Sequence, residues 1–166
     1  MWVGALIEDI NQPIVLIAPE GKEEEAVTRL SRVGYDNTVG YLKGGAHTFA
    51  YAGGQLNTIT SIPASELAEL HGEAHIVDVR KPGEFQSEHI LDAVTYPLDY
   101  INEHINELDK DKTHHIHCAG GYRSVIAISR LMQEGYTKLI DVAGGYGAIK
   151  ETSIPKTDYV CPSTLK

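Results

Sequence analysis

Cys118-Ala-Gly-Gly-Tyr-Arg-Ser124 stands between a β-like run, His114–His117, and a helix-like run, Val125–Glu134. The glycines let the chain curl around the cysteine, because glycine takes positive φ without steric cost. The curl directs backbone N–H groups inward, and the following helix adds the positive end of its dipole. Such surroundings favour the reactive thiolate. A lone cysteine is more often a small buried hydrophobe, but the ordered set Cys-x-x-Gly-x-Arg favours a nucleophilic Cys118 that handles an anionic substrate.

Composition excludes several classes of function. The chain has 166 residues, with 14 Lys and Arg against 23 Asp and Glu, which gives a net charge of −9. Nucleic acid is therefore not an expected partner, since it requires a basic face. No apolar run approaches the ~18 residues that predict a membrane span. The two cysteines, Cys118 and Cys161, do not form a disulfide framework, so we expect a cytoplasmic protein in a reducing environment.

Strand-like and helix-like stretches alternate from Ile14 onward, which predicts an α/β fold whose central, mainly parallel sheet is flanked by helices. The predicted strands are Ile14–Ala18, Thr38–Leu42, Asn57–Ser61, His75–Val79, Val94–Pro97, His114–Cys118 and Leu139–Val142. The predicted helices are Val3–Asp9, Lys22–Val33, Ala64–Leu70, Tyr100–Leu108 and Arg123–Glu134. Pro63 suits the first turn of the third helix.

An internal repeat relates the two ends of the chain. Residues 15–30 align without a gap with residues 116–131, and Gly-Tyr and Gly-Gly pairs follow in the same order in both copies. Chance similarity between two strand–helix–strand units is the alternative to duplication. Ile17 occupies the place of Cys118 in the first copy, and Glu20 would repel an anion there. The first copy is therefore expected to be catalytically inactive.

The repeat predicts a domain plan. Residues 1–45 form a partial, inactive copy, residues 46–56 a linker, residues 57–152 the catalytic domain and residues 153–166 a tail. The partial copy lacks a counterpart of residues 57–113, so the chain is expected to be a piece of a longer protein. Such a half-domain would leave an open sheet edge, and open edges tend to pair. A homodimer is thus a further expectation.

Several motifs between residues ~57 and ~152 make this part of the chain resemble the rhodanese family of sulfurtransferases. They are, in order, Asp78-Val-Arg80, Glu84-Phe85, His89-Ile90, Ala93, Pro97, the loop Cys118–Arg123 and Gly144-Gly145. Glu88 and Asp92 stand where the family usually has glycine, and Thr95-Tyr96 departs from its pattern before the proline. These departures lie outside the cysteine loop, so they bear on packing and substrate approach rather than on the reaction.

The resemblance implies a rhodanese-like domain that moves sulfane sulfur from thiosulfate or a low-molecular-weight persulfide to a thiol or cyanide. Cys118 would carry the sulfur as a persulfide. The loop that binds the anion would consist of Ala119, Gly120, Gly121, Tyr122, Arg123 and Ser124. Four residues separate Cys118 from Arg123, one fewer than in the related phosphatases, which favours sulfur over phosphate chemistry.

The roles of the neighbouring charged residues stay open in the sequence. Arg123 is either an anion ligand at the rim of the loop or a strut that ties the loop to the domain. Asp78 and Arg80 either orient the loop or form a structural ion pair at a strand end, and Arg80 could also pair with Glu84. Cys161 is either an incidental tail residue or a second thiol that accepts sulfur.

No metal or cofactor is expected in this chain. The histidines His114, His115 and His117 are favoured as packed residues beside the loop, because a structural zinc site needs about four ligands. The expected partners are a small-molecule sulfur donor and a thiol acceptor. Tandem inactive and active copies also follow the metallo-β-lactamase-fold domain of persulfide dioxygenase–rhodanese fusions, so such a domain could precede this chain.

Two alternatives to the sulfurtransferase remain open. The first is a persulfide carrier or docking module that presents sulfur to a partner without fast turnover. The second, weaker alternative is a phosphatase or arsenate reductase.

Overall fold

The computed structural model describes residues 2–164. They form two compact units that divide between Thr58 and Ile59. The first unit contains, in chain order, α1 (Val3–Leu6), β1 (Ile14–Leu16), α2 (Glu23–Ser31), β2 (Thr38–Tyr41) and α3 (Gly45–Tyr51). β1 and β2 pair in parallel as a two-stranded sheet.

The first unit does not close a hydrophobic core. Val15, Val39 and Tyr41 lie on the two strands, and their side chains are 63%, 62% and 52% exposed. Among residues 2–58 only Tyr35 is buried. The strand–helix–strand order agrees with the proposed partial copy, but the duplication itself stays a prediction.

The second unit carries the rest of the secondary structure. Its elements are β3 (Thr60–Pro63), α4 (Ala64–Glu69), β4 (His75–Asp78), α5 (Pro82–Ser87), β5 (Val94–Thr95), α6 (Ile101–His104), β6 (His114–His117), α7 (Tyr122–Gln133), β7 (Leu139–Ala143) and α8 (Gly145–Ile149). The strands form one parallel sheet in the order β3-β7-β6-β4-β5. The α/β fold with a central parallel sheet that the sequence predicts is confirmed.

Apolar residues on both faces of the sheet make the core of the second unit. On α7 the buried residues Ser124, Ala127, Ile128 and Leu131 recur at helical spacing, so one face of this helix packs on the sheet. A separate cluster includes Leu67, Ile90, Val142, Tyr146 and Ile149. Because helices cover both faces, even the polar strand β6 is buried along its whole length.

This topology brings the chemistry to one edge of the sheet. β4 and β6 are parallel neighbours, with Asp78 paired to His117 at their ends. Residues that follow the two strands therefore meet at the carboxyl edge, where open α/β sheets bind their ligands. Cys118 lies at this edge, directly after β6.

Several predicted boundaries are wrong. The strand predicted at Asn57–Ser61 begins at Thr60 and includes Pro63, so this proline ends β3 and precedes α4 instead of opening the helix. The helices predicted at Val3–Asp9 and Lys22–Val33 are shorter, as α1 and α2. The predicted linker, residues 46–56, contains most of α3, and the domain plan itself stays a prediction.

The helix predicted at Tyr100–Leu108 is reduced to α6, which follows a 3₁₀ turn at Leu98–Tyr100. Two buried tyrosines bind backbone carbonyls at the end of this helix. The hydroxyl of Tyr96 donates to the carbonyl of His104, and that of Tyr136 donates to the carbonyl of Ile105. Within residues 2–164 the longest helix is α7, with 12 residues, and no helix is long and apolar enough to cross a membrane.

Candidate active site

Cys118 lies at the bottom of the loop between β6 and α7, with its side chain only 1% exposed. The backbone N–H of Gly121 donates to the Cys118 sulfur at 3.1 Å, and the Ser124 hydroxyl lies 3.6 Å from the same atom. Gly121 has a φ of 97°, a conformation that favours glycine, and it caps the start of α7. Gly120 does not share this conformation, so one glycine makes the curl.

The surroundings of the sulfur favour its charged form. Burial alone would raise the pKa of Cys118, but hydrogen bonds outweigh burial and lower this pKa below its ordinary value. They come from the backbone and hydroxyl of Ser124 and from the backbone of Gly120 and Gly121. The loop therefore stabilises a thiolate, which is the nucleophilic form of cysteine.

The tip of the loop lies above the sulfur and faces solvent. Ala119 and Gly120 are exposed, and the Tyr122 side chain is 71% exposed. Ser124, by contrast, is fully buried beside the sulfur. The loop thus presents a solvent-facing rim over a buried reactive atom.

The start of α8 holds the cysteine loop from the other side. The backbone N–H of Tyr146 donates to the carbonyl of Cys118 at 2.6 Å, and that of Gly147 donates to the carbonyl of Ala119 at 3.0 Å. Gly145 permits this approach, since a Cβ there would lie 2.3 Å from the Cys118 oxygen. The Gly-Gly pair after β7 is therefore part of the support of the loop.

Asp78 and Arg80 form a buried ion pair behind the loop. The Arg80 guanidinium donates to Asp78 at 2.6 and 2.8 Å, and the two side chains are 6% and 0% exposed. Arg80 also donates to the carbonyl of Glu88 and lies 3.8 Å from the centre of the Tyr146 ring. The pair thus packs against the residue that binds the Cys118 carbonyl, and its effect on the loop stays a prediction.

Arg123 is bound by Glu84, which lies on α5. Two hydrogen bonds join the guanidinium to the carboxylate, at 2.5 and 2.8 Å. This pair lowers the pKa of Glu84 and raises that of Arg123. Of the two roles that the sequence left open, this geometry is that of a strut between α5 and α7. Arg80 pairs with Asp78 rather than with Glu84, as the sequence had also allowed.

The histidines of β6 are packed inside the domain. The His117 ring stacks on Tyr146 and lies 3.8 Å from a carboxylate oxygen of Asp78. Burial lowers the pKa of His117 and of His115, so both rings are neutral near pH 7. His114 bonds to the carbonyl of Asp109. Residues 2–164 contain no group of three or more His, Cys, Asp or Glu side chains that could hold a metal ion.

Comparison with known proteins is consistent with this geometry. Residues 63–152 match the model of the rhodanese-like domain. The chain belongs to the rhodanese-like family. The matched residues include β4, the cysteine loop and all of α8, so every side chain of the site described above lies within the rhodanese-like domain.

Individual relatives agree with the family. A protein named sulfurtransferase from Allochromatium vinosum is 32% identical over 100 residues, which cover 60% of this chain and 94% of that protein. The thiosulfate sulfurtransferase PspE of Escherichia coli is 36% identical over 84 residues, 49% of this chain and 77% of that protein. The crystal structure of a rhodanese-related protein from Thermoplasma volcanium has a TM-score of 0.55 and 32% identity, covering 59% of this chain and 97% of that one.

Sequence reasoning missed three residues of the site. Glu84 was a motif residue expected at most to pair with Arg80, although its position three residues after Lys81 fits the Glu half of a capping box at the start of α5. Gly145 was a landmark of the repeat, and Tyr146 carried no signal. The roles of Gly145 and Tyr146 arise from backbone contacts, which no side-chain pattern reports.

Proposed function

We propose that this chain is a sulfurtransferase that carries sulfane sulfur as a persulfide on Cys118. The observation that supports this most is the sulfur atom itself, held at 3.1 Å from the Gly121 N–H with its pKa lowered. The names of the relatives support the same class of reaction. The donor would be thiosulfate or a low-molecular-weight persulfide, and the acceptor a thiol or cyanide.

The reaction proceeds in two displacements. In the first, the Cys118 thiolate attacks the outer sulfur of the donor, a new S–S bond forms, and the old bond breaks. The donor remnant leaves with the electron pair, as sulfite from thiosulfate or as a thiolate from a persulfide. In the second, an acceptor thiolate or cyanide attacks the outer sulfur and Cys118 leaves as the thiolate. The cycle is redox-neutral and requires no further reactant.

The loop provides what these steps need. The outer sulfur of the persulfide carries negative charge, and the N–H groups of the curled loop, with the positive end of α7, stabilise such charge. Because the loop lowers the pKa of the Cys118 thiol, it raises the fraction of thiolate that starts the reaction, and the proposed mechanism uses no separate base. Ser124 and Gly121 act on the sulfur directly, whereas Tyr146 and Gly147 hold the backbone of the loop.

Intact-protein mass spectrometry tests the proposal. After treatment with thiosulfate or cysteine persulfide and removal of excess donor, we expect one added sulfur atom in the wild-type chain and in Cys161→Ser. Cys118→Ser should gain none. Cyanide should then remove the added sulfur and yield thiocyanate. A Cys118 that stays unmodified with every donor would contradict the mechanism.

The persulfide carrier is the second candidate, and the burial of the sulfur favours it. Cys118 is only 1% exposed, which restricts direct approach by an acceptor. A steady-state assay of thiocyanate formation separates the two candidates. Turnover that depends on Cys118 supports the enzyme, whereas loading of one sulfur per chain without turnover supports the carrier.

A further inference from the structure

The Arg123–Glu84 ion pair, which joins α7 to α5, affects the charge at the mouth of the site, which is the rim of the cysteine loop at residues 119–123. Arg123 follows the cysteine loop, and its pKa is raised first by Glu84 and also by the charge of Cys118, so its guanidinium interacts electrostatically with the reactive sulfur. Glu84 engages both terminal nitrogens of its guanidinium. A bidentate carboxylate uses the hydrogen-bonding fork with which arginine would otherwise recognise an oxyanion.

The other cations around the site are balanced in the same way. Arg80 pairs with Asp78, and the ammonium of Lys150 lies 2.7 Å from Glu88. Lys81 lies 4.0 Å from Asp99. Each of these positive charges thus has a carboxylate close to it, while the Cys118 thiolate adds a negative charge at the centre.

A donor with two negative charges meets unfavourable electrostatics at such a mouth. Thiosulfate is a dianion that must approach a thiolate, and its sulfonate oxygens compete with Glu84 for Arg123. A persulfide places a single charge on its sulfur pair and depends less on an arginine, since the N–H groups of the loop stabilise sulfur-borne charge. The two donor classes therefore respond differently to Glu84.

We propose that Glu84 is a specificity-determining residue that, by holding Arg123, selects thiol persulfides over thiosulfate as sulfur donors. The inference rests on the proposed sulfur transfer and names the donor class for it. Glu84 acts through Arg123 and does not itself touch the reacting sulfur atoms.

Glu84→Gln is the test. Glutamine keeps the shape of the side chain and an acceptor oxygen for the Lys81 N–H at the start of α5, but removes the charge. We expect kcat/KM for thiosulfate to rise by roughly tenfold, within the range that electrostatic steering produces. The kcat/KM for cysteine persulfide should change by less than about twofold. The gain with thiosulfate should shrink as salt is added, because exposed charges are screened.

Glu134→Gln is the matched control. Glu134 pairs with Arg130 on the same helix as Arg123, and its side chain is 36% exposed, the same fraction as for Glu84. The Glu134→Gln substitution removes one negative charge from the chain without changing the mouth of the site. We expect no change in the ratio of the two donors. Glu84→Asp, which keeps the charge, should retain the preference for the persulfide.

The outcomes distinguish the two proposals. If Cys118 accepts sulfur in the wild type and Glu84→Gln leaves the donor ratio unchanged, the inference is overturned while sulfur transfer stands. A fall in kcat/KM with both donors alike would also overturn it, since it indicates that Glu84 only supports the fold. If wild-type Cys118 accepts no sulfur from either donor, the sulfur-transfer proposal fails, and the inference fails with it.

Discussion

Gly145→Ala should displace the cysteine loop. A Cβ at this position would lie 2.3 Å from the Cys118 oxygen, 2.8 Å from the Ala119 carbonyl carbon and 2.9 Å from the Gly120 nitrogen. All three are backbone atoms, so no side chain can rotate away. The new methyl group can be accommodated only if the loop or the start of α8 moves.

The destabilisation expected for Gly145→Ala has two parts. Overpacking of a fitted interior costs about 1–3 kcal/mol, and the φ of 56° at Gly145 adds the left-handed penalty of an L-residue, about 1–2 kcal/mol. The expected loss in free energy of unfolding is therefore about 2–5 kcal/mol. Because domains have about 5–15 kcal/mol in total, the variant should fold but show a lower urea midpoint.

Gly135→Ala separates the two parts. Gly135 also has a positive φ, of 86°, but no atom lies within 4 Å of the Cβ that would be added. The Gly135→Ala variant should lose only the conformational part of the free energy of unfolding, about 1–2 kcal/mol. Hydrogen exchange in residues 114–131, measured as urea is added, reports the unfolding of the second unit. Tryptophan fluorescence would not, since the single tryptophan, Trp2, lies in the first unit.

The same variants should differ in thiol chemistry. If the loop moves, Cys118 loses hydrogen bonds to its thiolate, and its pKa should rise in Gly145→Ala but not in Gly135→Ala. The pH dependence of iodoacetamide alkylation reports this directly, provided that Cys161 is replaced by serine in every variant. Equal stability losses and equal alkylation profiles in the two variants would refute the argument.

Two further variants test the other supports of the sulfur. Asp78→Asn should reduce the free energy of unfolding by about 3–5 kcal/mol, because it leaves the buried Arg80 without its charge partner. Glu25→Gln, which removes the charge of an exposed pair with Arg29, should reduce it by at most about 1 kcal/mol. Equal losses for the two variants in urea unfolding would contradict the buried-pair interpretation. Ser124→Ala removes the hydroxyl near the sulfur, so the pKa of Cys118 should rise and the alkylation inflection should move to higher pH. Because the folded state lowers this pKa, ionisation of Cys118 stabilises the fold above the unfolded-state pKa, and this contribution is lost as pH falls through the folded-state pKa. Ser124→Ala should narrow that pH window, and an unmoved inflection would show that the hydroxyl does not act on the thiolate.

The sequence predicted those parts of the molecule that local patterns encode. Helix α7 begins and ends within one residue of the prediction, because its buried face recurs at helical spacing. The place of Cys118 in a loop between a strand and a helix followed from the order of the β-like and helix-like runs around it. Both features depend on neighbours in the chain, so a single sequence contains them.

The missing parts depend on distant contacts. Arg123 and Glu84 are 39 positions apart, and α5, which carries Glu84, has only six residues and so shows no helical period. The contact of Gly145 with the Cys118 carbonyl requires β6 and β7 to be neighbours in the sheet. Strand order is not written in any local pattern, so this role could not be predicted.

Other expectations stay predictions. They include the duplication behind the first unit, the cytoplasmic location, the pairing of two chains and a preceding metallo-β-lactamase-fold domain. The rhodanese-like match begins at residue 63, so it does not extend to the first unit. The transfer of sulfur to Cys161, whose side chain is exposed, is likewise untested.

The uncovered strand face of the first unit also affects how the protein behaves in solution. Val15, Val39 and Tyr41 offer an apolar surface that nothing in their own unit shields. At pH 7 the charge of −9 makes chains repel one another. That repulsion vanishes near the isoelectric point of about 5.3, where we expect turbidity to develop first. Handling well above this pH, at modest salt, should keep the protein dispersed.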